Sequence, residues 1–448
     1  MDFEAFKQAV IARCAQLGIE EYELYYQCAE STVVGAFQQE INQFTGSVAG
    51  GVCFRAIVGG KMSYASTEEL SPDEAAAVVD RAVDNAACLE TEDPVFLGQG
   101  GQTYRELELK HYPLPSTEEL IQTVLDTQKA LYEADPRVVD GTATQGLSEH
   151  NSMAIYNSKG LDLRYDNQCA GLVCVAVVSD GAQMSNNGEI QLGQLDQLDI
   201  HAFAEKATAG ALEKMGGEAI DTGVYPVVFS QKAMSSLLGT FSSIFSSSAA
   251  QKGLSRFAKE EGNVVAAEVV TIVDDPFHPD NPMPIHFDSE GSPTYCKNVV
   301  EKGVLKTLLY NLKTAHKAGK ITTGNASKGG YNGSVKVRPF TMYIQGGDLS
   351  EEELFAMAGN GVYITSLEGL HSGANGVSGD FSLQSAGYLI ENGEKTKRIK
   401  GFTVAGNFYD LLKNITAVAD NTCLPRALGT TAFGAPSTLV KELSIAGK

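Results

Sequence analysis

The sequence predicts an α+β protein of two domains, residues 1–220 and 221–448, and three observations carry that prediction. A chain of 448 residues exceeds what one ordinary core organises. Its first part mixes β-like segments unevenly with helical ones, which suits an antiparallel sheet with helices rather than a doubly wound fold. Its second part is richer in short β-like pieces separated by Gly and turn residues, which suits a strand-rich, mixed or barrel-like domain.

The elements follow in order. Residues 2–17 space Phe3, Phe6, Val10, Ile11 and Leu17 as a helix face, and Gly18 ends it. Two β-like segments come next, "YELYYQCAESTVVGAFQQEINQF" and "GGVCFRAIVGGKMSYAS". "SPDEAAAVVDRAVDNAACLE" opens with a Ser cap, Pro at the first helical position and acids in the first turn, which is a helix start. "STEELIQTVLDTQKALYEAD" repeats the logic with Ser116 or Thr117 and Glu119. Residues 138–186 are β-like again, with turn residues at Asn157 to Gly160. A helix over 199–215 closes at Gly216–Gly217, which places the boundary near 217–223. Beyond it, "YPVVFSQKAMSSLLGTFSSIFSSSAAQKG" reads as a strand feeding a helix. "PFTMYIQGGDLS", "GVYITSLEGL", "GDFSLQSAGYLIENGE" and "TKRIKGFTVAG" are short strands, and "SEEELFAMAG" is a capped helix.

Composition narrows the function classes. Lys+Arg of 34 against Asp+Glu of 55 leaves −21, a surface that repels phosphate backbones and anionic lipid. Direct nucleic-acid and membrane partners are therefore not expected. The start "MDFEAFKQAV" lacks the basic region of a signal peptide, and the apolar run "LVCVAVV" is far shorter than a membrane span. Eight scattered cysteines without a C-x-x-C pair suit reduced thiols and a cytoplasmic location.

The residues that could carry chemistry are sparse. None of the seven His is followed by Glu, and no two lie within five residues, so H-E-x-x-H is absent. The nearest ligand cluster is 274–291, with His278, His286, Asp274, Asp275, Asp280, Asp288 and Glu290. Its four prolines make it a loop, and such polar loops are more often solvated than metal-binding. The serines of 230–248 lack the glycines of a nucleophile elbow. Cys296 or Cys423 with His371 would be a chance pairing, and inert thiols are the better reading. "GLHSGANGVSGDFSLQSAGYLIENGE" (369–394) combines a Gly-rich approach with alternation, which could hold an extended peptide at a strand edge; Ser378, Gly379, Asp380 and Phe381 are the groove candidates. An ordinary hairpin with Gly bulges fits the same pattern, and better.

Four segments, "GVCFRAIVGGKMSYAST", "FDSEGSPT", "SGDFSLQSAGYLIENGE" and "GAPSTLVKELSIAG", occur in an order that resembles the TldD/PmbA family of predicted metallopeptidases, once named modulators of DNA gyrase. The TldD-type chain of that family carries H-E-x-x-x-H on a helix after a strand, with a Cys near the C-terminus completing the metal site. Laid on "VVFSQKAMSSLLGTFSSI", the pattern puts Gly239 and Ile244 where the two His would be and Thr240 where the Glu would be. All three chemical groups are missing together, as in the PmbA (TldE) type.

The resemblance implies a heterodimer with a TldD-like subunit that supplies zinc, this chain holding no cofactor of its own and forming part of a chamber that cleaves small or unfolded peptides. Two alternatives stay open: a homodimeric peptidase with a metal on the 274–290 loop, and a peptide-binding regulatory protein.

Overall fold

In the computed structural model the described residues are 1–90, 94–107, 112–281, 283–424 and 431–448, so His111 and Pro282 lie outside them. The first part folds around one antiparallel sheet. Its strands are β1 (Tyr22–Phe37), β2 (Glu40–Val58), β3 (Lys61–Thr67), β4 (Ala143–Asn157), β5 (Asp162–Ser179) and β6 (Met184–Leu192), in the spatial order β3-β2-β1-β4-β5-β6. The Asn157–Gly160 turn joins β4 to β5 as the turn residues predict: Asn157 Oδ1 accepts from the N–H groups of Lys159 and Leu161, and Gly160 takes a positive φ.

Four helices pack on this sheet: α1 (Phe3–Leu17), α2 (Pro72–Ala87), α3 (Thr117–Ala134) and α4 (Ile200–Glu213). The caps read from sequence form as side-chain hydrogen bonds. Ser71 caps α2 ahead of Pro72, and Ser116 with Glu119 makes a reciprocal capping box on α3. Gly18 closes α1 in the left-handed conformation. Phe6 and Val10 of α1 meet Leu24, Phe54, Val78 and Val79 in one core, and Leu120, Val124 and Leu131 meet Leu172, Cys174, Ala207 and Ala211 in a second.

The strand-rich part starts at β7 (Gly223–Phe229), followed directly by α5 (Gln231–Phe241). A small sheet uses β8 (Ile272–Asp274), β9 (Lys297–Glu301), β10 (Val304–Leu305), β13 (Thr341–Ile344) and β18 (Ala432–Gly434), while β11 (Ala326–Ser327) and β12 (Lys336–Val337) pair alone. The second sheet comprises β14 (Gly361–Glu368), β15 (Asp380–Glu391), β16 (Glu394–Asn407), β17 (Ile415–Val418) and β19 (Thr438–Ala446), in the order β16-β15-β14-β7-β19-β17. β16 also pairs with β19 through Thr403–Ala405, closing five strands into a barrel. β14 runs parallel to β7, so the sheet is mixed.

The fold is therefore α+β, an antiparallel sheet with helices joined to a barrel-bearing strand-rich part. Closure leaves β17 outside the ring, paired with β19, and surrounds a core of Phe229, Phe241, Phe381, Phe402, Val404, Phe408 and Ile445. Each such ring, fully buried, contributes on the order of 1.5–3 kcal/mol of transfer free energy.

Candidate functional site

Helix α5 sits where the family resemblance places its chemistry. β7 delivers it from the barrel, between β14 and β19, and Ser230 caps it by accepting from the Ala233 N–H at 3.3 Å. Ala233, Met234, Leu237, Leu238 and Phe241 recur at helical spacing and are buried, with Phe241 stacked on Phe408 at 4.7 Å between ring centroids. The helix is thus held firmly, and what it presents can be read residue by residue.

Gly239 presents nothing, and a Cβ built there would stand 3.0 Å from Cδ2 of Phe433, a ring carried in by β18. The Thr240 hydroxyl donates to the Ser236 carbonyl at 2.8 Å, a bond within the helix. Ile244 lies in the 3₁₀ turn that follows and is fully buried in the barrel core. A zinc site needs nitrogen, sulfur or carboxylate donors converging on one point. No side chain, a hydroxyl spent on its own helix and an aliphatic group do not fit that ion.

Cys423 is exposed, its backbone paired with Ala435, and it lines a hollow with Gln231 and Lys232. That is the first turn of α5, roughly 12 Å along the axis from Gly239. No hydrogen bond joins Cys296 or Cys423 to His371, which is exposed on the short helix Leu370–Gly373. Among the described residues no group of three or more His, Cys, Asp or Glu is placed to hold a metal ion.

Most polar groups of the 274–290 loop are bound within the protein, the buried His286 Nδ1 being one that has no partner. Asp274 is buried against Lys297 at 3.2 Å and accepts from Asn325 and from the Phe340 N–H. The His278 Nδ1 accepts from the Asp280 N–H. His286 packs among Tyr104, Tyr165 and Phe287, and burial pushes its pKa down. Asp288 accepts three backbone N–H groups, from Glu290, Ser292 and Ala326, each at 2.9 Å. Glu290 accepts from the Leu312 N–H at 2.8 Å. The loop is a structural knot, and Tyr104 ties it to the first part by donating to the Gly291 carbonyl.

Residues 378–381, the edge-strand candidates, lie at the start of β15, ahead of its pairing with β14, which begins at Gln384. β15 lies between β14 and β16: Asp380 pairs with Asn407 and Phe381 with Gly406, while Ala374 bridges Phe381 on the other side. The Ser378 carbonyl accepts from Arg256 and Asn407, Gly379 turns under the Tyr409 ring, and Phe381 packs on Phe241.

Beside α5 lies a cleft of about 700 Å³ that the sequence did not single out. Ser242, Ser243, Ser246 and Ser248 line one side, Ser334 to Pro339 the other, and Phe433 and Thr431 the end. Lys336 and Arg338 are two residues apart on an extended segment, a spacing that sends both side chains to one face. That alternation is the one signal in the sequence that could have found it.

The comparisons with known proteins now bear on this geometry. The C-terminal domain of the PmbA/TldA metallopeptidases matches residues 222–447, their central domain 110–215 and their domain 1 residues 22–86. The chain belongs to the PmbA/TldD family. A Haemophilus influenzae homologue of the metalloprotease PmbA is 25% identical over 87% of this chain and 85% of its own length. A Thermotoga maritima structure, described as a candidate modulator of a DNA gyrase, is 30% identical, with a TM-score of 0.88 over 99% of this chain and 100% of that one. TldE from Thermococcus kodakarensis shares the fold at 22% identity, with a TM-score of 0.84 over 99% of this chain and 100% of its own. The PmbA/TldD segments together span the sheet, the barrel and α5.

Proposed function

We propose that this chain is a PmbA/TldE-type subunit of a metallopeptidase: it holds no catalytic metal, pairs with a TldD-like chain that does, and forms part of the chamber in which peptides are cut. One observation carries the reading. At the three positions where the family's metal-binding helix would hold ligands and base, this chain has Gly239, Thr240 and Ile244, and Phe433 lies against the first of them. The loss is complete and the vacated volume is packed, which is how a position looks once it has become structural. We divide the chain at residue 220 in the same proposal, the barrel-bearing part contributing the α5 face and the first part the outer wall. The net charge of −21 supports a peptide substrate over a nucleic acid and suits a soluble cytoplasmic protein. Among the described residues no helix is long and apolar enough to cross a membrane.

The test is reconstitution. Metal content of the purified chain is measured by elemental analysis, and peptide cleavage is assayed with and without a TldD-type partner. Absence of stoichiometric zinc, no cleavage alone and cleavage with the partner are expected. Stoichiometric zinc with cleavage by the chain alone would overturn the proposal.

A further inference from the structure

The cleft beside α5 has a charge character opposite to the molecule's. The chain carries −21 overall, yet the cleft is lined by Lys252, Lys336 and Arg338 and, among the described residues, by no Asp or Glu. None of these three cations has an ion-pair or hydrogen-bond partner for its side chain among the described residues. Elsewhere the protein pairs many of its bases: Arg55 with Glu23, Arg13 with Asp80, Lys297 with Asp274 and Lys320 with Glu261. In a chain with surplus carboxylate, three cations gathered in one cleft without a counter-charge are a specific arrangement.

The hydroxyls agree. The side chains of Ser243, Ser246 and Ser248 line the same cleft and make no hydrogen bond to the protein among the described residues. Hydroxyls that donate, set among cations, form a donor-rich lining suited to an anionic oxygen. Ala249, Leu254 and Phe433 supply apolar surface beside them, which suits a peptide better than an inorganic ion.

We infer that the cleft lined by Lys252, Lys336, Arg338 and the hydroxyls of Ser243, Ser246 and Ser248 binds carboxylates of peptide substrates, and so gives the assembly a preference for acidic peptides. The inference rests on the peptide-chamber reading above for its choice of ligand. It adds a specificity site next to the helix whose metal positions are filled. The overall negative charge works against acidic ligands at long range, so any preference for them has to arise locally, within a Debye length of the cleft.

The experiment is fluorescence anisotropy of the purified full chain with a short labelled peptide rich in Asp and Glu, and with its Asn/Gln isostere. Three exposed cations, each adding a few tenths of a kcal/mol to about 1 kcal/mol, predict binding of the acidic peptide about tenfold tighter at low salt. The preference should collapse at high salt, and a Lys336→Gln/Arg338→Gln variant should lose most of it while keeping the wild-type melting temperature. Both peptides are amidated at the C-terminus, so the difference between them reads side-chain carboxylates alone. Equal affinity for acidic and isosteric peptides, or a preference unchanged in the double variant, would sink the inference. Reconstituted cleavage without any acidic preference would therefore reject the cleft's role alone, whereas acidic preference without reconstituted cleavage would reject the subunit proposal.

Discussion

Glu23 and Arg55 stand directly opposite one another on β1 and β2, with Arg55 Nη2 2.6 Å from Glu23 Oε1. Only 1% and 4% of these residues reach solvent. Asn157 donates to the second Glu23 oxygen, so the carboxylate is held from both sides. Removing one partner strands the other. Arg55→Ala is expected to destabilise the protein by about 3–5 kcal/mol, with Glu23→Leu/Arg55→Leu milder than Arg55→Ala because Glu23 is no longer left as an unpaired buried carboxylate. Urea unfolding of the variants checks this, and a double variant no more stable than Arg55→Ala would contradict it.

Asp288 and Glu290 set a pH dependence. Burial and the neighbouring Glu290 push the Asp288 carboxyl from an ordinary 3.8 up to about 7, against the pull of its three backbone N–H donors. Burial raises Glu290 as well, with the Arg55 charge opposing it. A raised carboxyl pKa means that the folded state keeps a proton the unfolded chain releases. The contribution is thus fully present below about pH 4, lost as pH rises toward about 7, and flat above that. Asp288→Asn should flatten this part of the profile. It should also cost about 1–3 kcal/mol, because an amide N–H₂ would replace the oxygen that accepts from Ala326. Denaturant unfolding between pH 4 and 8 reads both effects.

Rebuilding the metal pattern should fail while Phe433 stays. In Gly239→His/Thr240→Glu/Ile244→His, the first side chain meets the Phe433 ring and the third replaces a fully buried isoleucine. A lower melting temperature and no stoichiometric zinc are expected, since losing a buried isoleucine alone costs on the order of 2–5 kcal/mol. Adding Phe433→Ala separates steric exclusion from a missing donor. Zinc retained by the triple variant with Phe433 in place would show that the ring does not fill the site.

Thiol reactivity should follow burial. Cys88, Cys296 and Cys423 are exposed, whereas burial pushes the Cys14 and Cys174 thiols up to about 12. A disulfide reagent should modify Cys88 and Cys423 rapidly in the native protein, Cys296 more slowly because partial burial and Asp275 raise its thiol, and all eight cysteines only after unfolding. Fast native labelling of Cys14 or Cys174, read by peptide mass mapping, would contradict the packing of those cores.

Much of the fold was legible in single residues. The Ser71–Pro72 start, the Ser116–Glu119 box, the Gly18 stop and the Asn157–Gly160 turn all form as their chemistry requires, because each rests on hydrogen bonds spanning four residues or fewer. That Gly, Thr and Ile stand at 239, 240 and 244 was legible too, since residue identity needs no tertiary context. What flanks the groove candidates was not. Alternation along 380–391 reports that one face is buried, but it is silent on whether strands lie on both sides.

By itself, then, the sequence determined the local elements, the α+β class and the acidic surface. Tertiary structure decided the rest. It closed the barrel by pairing Thr403–Ala405 with Ser444–Ala446, brought β14 beside β7 across more than a hundred residues, and laid Phe433 on Gly239. It also placed Lys252 with Lys336 and Arg338 in one cleft. The physical reason is range. Capping, turn chemistry and periodicity act between neighbours and leave a mark in composition, whereas pairing of distant strands is chosen by the packing of the whole core, and no short stretch of sequence records the partner.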